Sequence, residues 1–213
     1  YDAESDVVAQ ETSPISLFSS QQEILSQRLS ILNPSLWSAD TPYLYWVELS
    51  VKTENGVVLD TWSGHVGIRN LFLSAQTGLL VNGQVTRLRG VCIHHDNGVL
   101  GAATFTQAEK RRVLQLKEAG FNCLRSAHHP MSKAMLEACD EYGMYVIDEL
   151  YDMWTQSKNP NDNSRHFMEE WEEDVEKLVH KDYNHPSVIM WSIGNEVLEQ
   201  WNSASADKLT PEQ

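Results

Sequence analysis

The sequence predicts a chain of two parts: a partial immunoglobulin-like β-sandwich over residues 1–73, then the first four βα units of a (β/α)8 TIM barrel over 74–213. Three observations carry that expectation. Short β-like runs divided by turn signals fill the first part, whereas strands and helices alternate after residue 79. Residues 188–193 form an apolar run interrupted only by Ser192, too short for a buried helix and rich in β-branched and aromatic side chains. Such a run suits a strand covered on both faces, as in a parallel sheet under helices, and it ends abruptly in Gly194, Asn195 and Glu196.

In the first part the expected strands are residues 7–10, 15–18, 24–31, 43–52 and 57–65. Asn33-Pro34 and Asp40-Thr41-Pro42 break the runs, and Asn55-Gly56 marks a tight hairpin. An immunoglobulin-like sandwich has about seven strands over roughly 100 residues, so this one is N-terminally incomplete. Trp37, Tyr43, Tyr45, Trp46 and Trp62 form an aromatic cluster. Because Tyr43, Tyr45 and Val47 alternate as a half-buried strand does, core and interdomain packing is expected of it, in preference to a sugar-stacking platform.

In the second part, residues 79–81 and 85–88 pair around Asn82-Gly83, and 89–94 continue as a strand into His95, Asp96, Asn97 and Gly98. A helix follows. Thr106 is its expected N-cap, with Glu109 completing a capping box, Val113, Leu114, Leu116 and Lys117 on its inner face and Gly120 at its end. Residues 121–126 return as a strand, 131–142 form a helix closed by Gly143, and 144–148 make the third strand. The polar stretch 156–165 reads as a loop on the face where the strands end, and 167–183 as a charged amphipathic helix. This order implies parallel strands with right-handed crossovers, and no glycine-rich loop follows the first strand, which disfavours a dinucleotide-binding fold. A whole barrel needs about 250 residues, so the second part is C-terminally incomplete.

A hydrophobic content of 41% with seven tryptophans excludes a disordered chain, and no run of about 18 apolar residues is present to span a membrane. A soluble protein is expected. The acidic start YDAESDVVAQE carries no secretory signal and reads as the middle of a strand-rich domain, which leaves cytoplasm and periplasm both open. A net charge of −14 repels phosphate backbones and argues against nucleic acid, while a neutral substrate such as a sugar is tolerated. Cys92, Cys123 and Cys139 form no CxxC pair, so three reduced thiols acting as small buried hydrophobes are expected.

Polar residues collect where the strands end: His94, His95 and Asp96 after the first, Arg125, His128 and His129 after the second, Asp148 and Glu149 at the third, Asn195 and Glu196 at the fourth. In a barrel the carboxyl ends of the strands carry the chemistry, so these residues converge on one rim. A carboxyl group beside an amide suits acid/base work, which singles out Glu196. A competing reading makes His94, His95, Asp96, His128 and His129 the zinc or manganese site of a metal-dependent barrel hydrolase.

Six segments together resemble glycoside hydrolase family 2: NPSLWSADTPYLY (33–45), GIRN (67–70), LRGVCIHHD (88–96), FNCLRSAHHP (121–130), YGMYVIDE (142–149) and NHPSVIMWSIGNE (184–196). The resemblance spans nearly the whole chain, and DELYDMW at 148–154 with the following KNP is most similar to bacterial β-galactosidases. It implies a retaining exo-β-glycosidase acting on terminal β-galactosides, with β-glucuronides and β-mannosides as alternatives within the family. It implies Glu196 as proton donor and then general base, and Asn195 as the partner of the sugar 2-hydroxyl. His94 and His128 would line the sugar pocket, Arg125 would be a buried arginine orienting the carboxylates, and Asp148 a further substrate-binding residue.

The resemblance also places the nucleophilic glutamate after a later barrel strand, beyond Gln213, so these residues alone are expected to be an inactive structural or binding piece. The implied partner is a carbohydrate, with no nucleic acid and no membrane, and a homo-oligomer is left open for the full-length protein. Departures limit the carry-over. His129 stands where the family usually has tyrosine and Tyr183 where it has a basic residue, while Met153 and Thr155 occupy positions where some β-galactosidases place magnesium ligands. Neither a family-type metal site nor a cofactor is expected.

Overall fold

A computed structural model describes residues 1–198. Its second part is built on a sheet of four parallel strands in sequence order, β6 (Gly90–Ile93), β7 (Cys123–Ser126), β8 (Tyr145–Glu149) and β9 (Val188–Ser192). Helices α1 (Thr106–Glu118), α2 (Lys133–Tyr142) and α3 (Phe167–Asp182) make the crossovers, as the alternating pattern predicts. The fourth helix of the expected units falls outside the described residues. Among the described residues no helix is long and apolar enough to cross a membrane.

Alternation along each strand decides what faces where. Val91, Ile93, Leu124, Val146 and Val188 turn to the helices and join Val113, Met135, Leu136 and Cys139 in one apolar cluster. Each fully buried aliphatic side chain there contributes about 2 kcal/mol. Cys123, Tyr145 and Ile147 turn to the other face and pack with Trp37, Ala39 and Val81. Helix α2 ends as the sequence requires, with the Ser132 hydroxyl accepting from Met135 N and Gly143 in the left-handed region at φ 75°.

The first part departs from expectation. Before residue 71, strands are present only as the antiparallel pair β1 (Tyr45–Lys52) and β2 (Val58–Val66), closed by a turn at Gly56. The runs at 7–10, 15–18 and 24–31 are not strands, because no neighbouring strand among the described residues supplies ladder partners. Their apolar side chains stay exposed, Ile24 at 95% and Phe18 at 84%. Of the aromatic cluster, Trp37 and Tyr45 are buried as expected, but Trp46 and Trp62 on this uncovered pair are not. A small sheet of β3 (Leu71–Ser74), β4 (Gly78–Val81) and β5 (Gln84–Val85) follows, turning at Asn82-Gly83 as predicted; β3 carried no recognised signal.

Three further expectations fail locally. Thr106 is the first residue of α1, not its cap, and no side chain caps that end. Its supposed partner Glu109 is fully buried instead and accepts from Asn97 Nδ2 at 2.8 Å and Arg112 Nη1 at 3.2 Å. Cys92 is exposed, because on the edge strand β6 nothing among the described residues covers it on the face away from the helices, whereas Trp37 and Val81 cover Cys123 on that face and burial pushes its thiol up to about 11. The run at 188–193 supplies strand β9, yet it is not covered on both faces: among the described residues β9 pairs with β8 alone, and Trp191 and Ile193 are exposed.

The two parts are joined by buried polar contacts. Trp37 Nε1 donates to Asp140 O at 2.8 Å and its ring meets Tyr145 edge-on at 5.8 Å. Lys117 Nζ donates to the carbonyls of Ala39 (2.8 Å), Tyr142 (2.6 Å) and Gly143 (2.9 Å), turning the cation of α1 into a clamp across the junction. Arg69 donates to the carbonyls of Pro186 and Val188, and His185 and Ser187 N pair with the Asp140 carboxylate, so the entry to β9 is held from both sides.

At Gly143 a Cβ would lie 2.3 Å from Ala39 O in a backbone conformation that favours glycine. Gly143→Ala is expected to cost about 3 kcal/mol, read by chemical denaturation. A second expected outcome concerns pH. Burial pushes the Asp182 carboxyl up to about 7, reinforced by a hydrogen bond with Asp148 and opposed by Lys181. A proton kept on Asp182 supplies the donor that Asp148 Oδ2 otherwise lacks. The unfolded chain releases that proton near pH 4, roughly, so the contribution is complete below that value and is lost as pH rises toward about 7. Denaturation midpoints of Asp182→Asn should therefore decline less than the parent's across that window.

Candidate active site

The carboxyl edge of the parallel sheet gathers around one fully buried carboxylate, Glu149 at the end of β8. Arg125 on β7 donates to Glu149 Oε2 from Nε (2.8 Å) and Nη2 (2.6 Å), and the Ser192 hydroxyl on β9 donates to the same oxygen at 2.6 Å. His128 Nδ1 lies 2.7 Å from Oε1, which makes Nδ1 the protonated nitrogen, since the carboxylate only accepts. A charge removed from water this completely is tolerable only when paired and hydrogen-bonded, and here it is both.

The network runs on to Asn195 just past β9. Arg125 Nη2 donates to Asn195 Oδ1 at 2.9 Å, and Asn195 Nδ2 donates to Asp152 Oδ1 at 2.9 Å. Both ends of the amide are thereby fixed. Lys158 Nζ pairs with Asp152 Oδ1 at 2.8 Å and donates to Asn195 O at 2.6 Å. Burial pushes the Asp152 carboxyl up, but the hydrogen bonds from Lys158 and Asn195 outweigh it and hold the group below its ordinary value. Glu196 follows, exposed, with φ 44°.

Of the residues singled out in the sequence, Arg125, His128 and Asn195 are brought together, with Arg125 half-buried, not buried. Glu196 is covalently next to this cluster, and exposed His94 joins it at the rim, its ring edge-on to His128 at 5.5 Å between centroids. Asp148 does not belong there. Strand alternation sends it to the helix side, fully buried, where Oδ1 accepts from Met131 N (3.0 Å) and the Ser126 hydroxyl (3.2 Å), so it cannot reach a substrate.

The competing metal constellation is not assembled: among the described residues no three His, Cys, Asp or Glu side chains are placed to hold an ion. His95 and His129 instead stack at 4.4 Å, and His95 Nε2 accepts from Ser132 N. Asp152, Lys158 and Ser192 were missed. The only sequence signal for the first two was the polar character of DELYDMW and the loop after it.

Four parallel strands presenting ionisable side chains at their carboxyl edge, preceded by β structure, define a β plus TIM-barrel-like protein. Residues 74–210 match the family model "Glycosyl hydrolases family 2, TIM barrel domain" and residues 1–69 match "Glycosyl hydrolases family 2". The chain belongs to glycosyl hydrolase family 2. It is 43% identical to the β-galactosidase BoGH2A of Bacteroides ovatus over 212 residues, covering 100% of this chain and 25% of that protein. A putative β-glucuronidase of Formosa agariphila is 33% identical over 80% of this chain and 16% of its own length. A crystal structure of a family 2 member from Bacteroides cellulosilyticus superposes with a TM-score of 0.89 at 44% identity, covering 97% of this chain and 26% of that one. The chain thus spans about a quarter or less of the length of these relatives.

Glu149→Gln puts an amide where Arg125, His128 and Ser192 all donate, leaving Arg125 without its buried counter-charge. A loss of about 3 kcal/mol in denaturant unfolding is expected.

Proposed function

We propose that the protein to which this chain belongs is a retaining exo-β-glycosidase acting on terminal β-galactosides, with Glu196 as the acid and then the base. The observation that carries the reading is the fixed Arg125–Asn195 pair, anchored on buried Glu149 and immediately preceding an exposed carboxyl group at a strand end. Glu196 protonates the departing glycosidic oxygen, then removes a proton from the water that attacks the glycosyl-enzyme. Retention requires a second carboxyl group about 5–5.5 Å from that of Glu196 to act as nucleophile.

Asn195 accepts or donates at the sugar 2-hydroxyl, a contact that tightens as positive charge develops on the ring. His94 and His128 flank the sugar, and Arg125, held by Glu149, keeps Asn195 oriented. Asp148 has no part in this scheme. The galactoside assignment draws support from the β-galactosidase of Bacteroides ovatus and further β-galactosidases of Priestia megaterium and Alteromonas mediterranea, each 35% identical. The division near residue 73 belongs to the same proposal, the β part serving as support for the barrel.

Full-length protein is to be assayed on chromogenic β-galactoside, β-glucuronide and β-mannoside, with Glu196→Gln alongside. Turnover is expected to be highest on the galactoside, and the variant should lose about 10²–10⁴-fold on an unactivated galactoside. A preferred glucuronide would transfer the substrate assignment to that branch of the family. Full rate in the variant removes Glu196 from the acid role.

A further inference from the structure

We propose that Lys158, together with Trp154, is a positioning residue for Glu196: the loop leaving β8 grips the backbone of residues 192–195 and so aims the proton donor. This rests on the reading of Glu196 given above. The grip is continuous along the segment. Leu150 N donates to Ser192 O at 2.9 Å, Trp154 Nε1 to Ile193 O at 2.9 Å, and Asn195 N to Tyr151 O at 2.9 Å. Lys158 Nζ closes the series on Asn195 O at 2.6 Å, the carbonyl of the peptide that leads into Glu196.

Backbone groups make two of these bonds whatever the sequence, but the donors on Ile193 O and Asn195 O are side chains chosen at positions 154 and 158. The fit around them is close. A Cβ on Gly194 would lie 2.8 Å from Trp154 Nε1 and 2.9 Å from Val197 Cγ1. Lys158 is itself fixed, by Asp152 through its ammonium and by the Asp162 carboxylate, which accepts from Lys158 N (2.7 Å), Asn159 N (2.9 Å) and Ser164 N (3.1 Å). Glu196 holds a left-handed conformation, φ 44°, that costs a non-glycine residue about 1 kcal/mol and persists only when its surroundings impose it. A misplacement of roughly 1 Å costs about 100-fold in rate, so tethers on the preceding peptide are felt at the carboxyl group.

The test uses full-length protein and kcat/KM, which reports the step needing the acid. Lys158→Met and Trp154→Phe are compared on two substrates sharing the preferred sugar: a dinitrophenyl glycoside, whose leaving group departs without a proton, and an alkyl glycoside, whose leaving group needs one. The alkyl reaction is expected to fall about tenfold or more and the dinitrophenyl reaction no more than about twofold, with Lys158→Arg recovering part of the alkyl rate. Trp154→Phe keeps an aromatic ring and removes the indole N–H donor, so it carries the test if Lys158→Met does not fold. Equal losses on both substrates, or no loss on either, overturn the positioning role. Glu196→Gln separates the two readings: if it keeps the alkyl rate, the acid assignment itself fails, whereas if it loses that rate while the Lys158 and Trp154 variants show no selectivity, only the grip fails.

Discussion

Everything at the carboxyl edge of the sheet depends on the burial of one negative charge, Glu149. A carboxylate at 0% exposure is stable only if several donors replace its water, and three neighbouring elements are recruited to do so. Arg125 comes from β7, His128 from the loop after it and Ser192 from β9. Strand register, the rotamer of Arg125 and the tautomer of His128 are thereby set together. Because Arg125 also donates to Asn195, the same charge fixes the residue that precedes Glu196.

A second constraint acts from behind. The entry to β9 is positioned by Asp140, which takes His185 and Ser187 N, and by Arg69, which reaches across from the first part of the chain. Lys117 and Trp37 extend this junction to α1 and α2. Distant segments of the sequence therefore position the last strand, and the loop after β8 positions its end. Polar atoms at the site are satisfied from several sides, and among the described residues the buried side-chain atoms without a partner are Asn97 Oδ1, Ser187 Oγ and, once Asp182 gives up its proton, Asp148 Oδ2.

The alternating grammar of the second part was legible because each helix carries its own periodicity and each strand its own apolar run, so elements of β6 to β9 were found within a few residues. Gly143 and the Asn82-Gly83 turn were legible for the same local reason. The first part was misread where apolar runs had no partner to pair with, since a strand is a property of two segments and a sequence window contains one. Glu109 shows a different limit: a capping box and a buried charge use the same residue, and only the position of Asn97 and Arg112 chose between them.

The amino-acid sequence by itself determined the parallel architecture, the family and the residues Arg125, His128, Asn195 and Glu196 as neighbours of strand ends, because these follow from local pattern and motif. Which of the adjacent carboxylates Asp148 and Glu149 enters the site was decided by tertiary structure alone. Successive strand residues face opposite ways, and the side on which helices pack assigns Asp148 to the core and Glu149 to the rim. Asp152 and Lys158 likewise acquire meaning only when folding carries their loop against residues 192–195, since a hydrogen bond between groups far apart in the chain leaves no local trace in it.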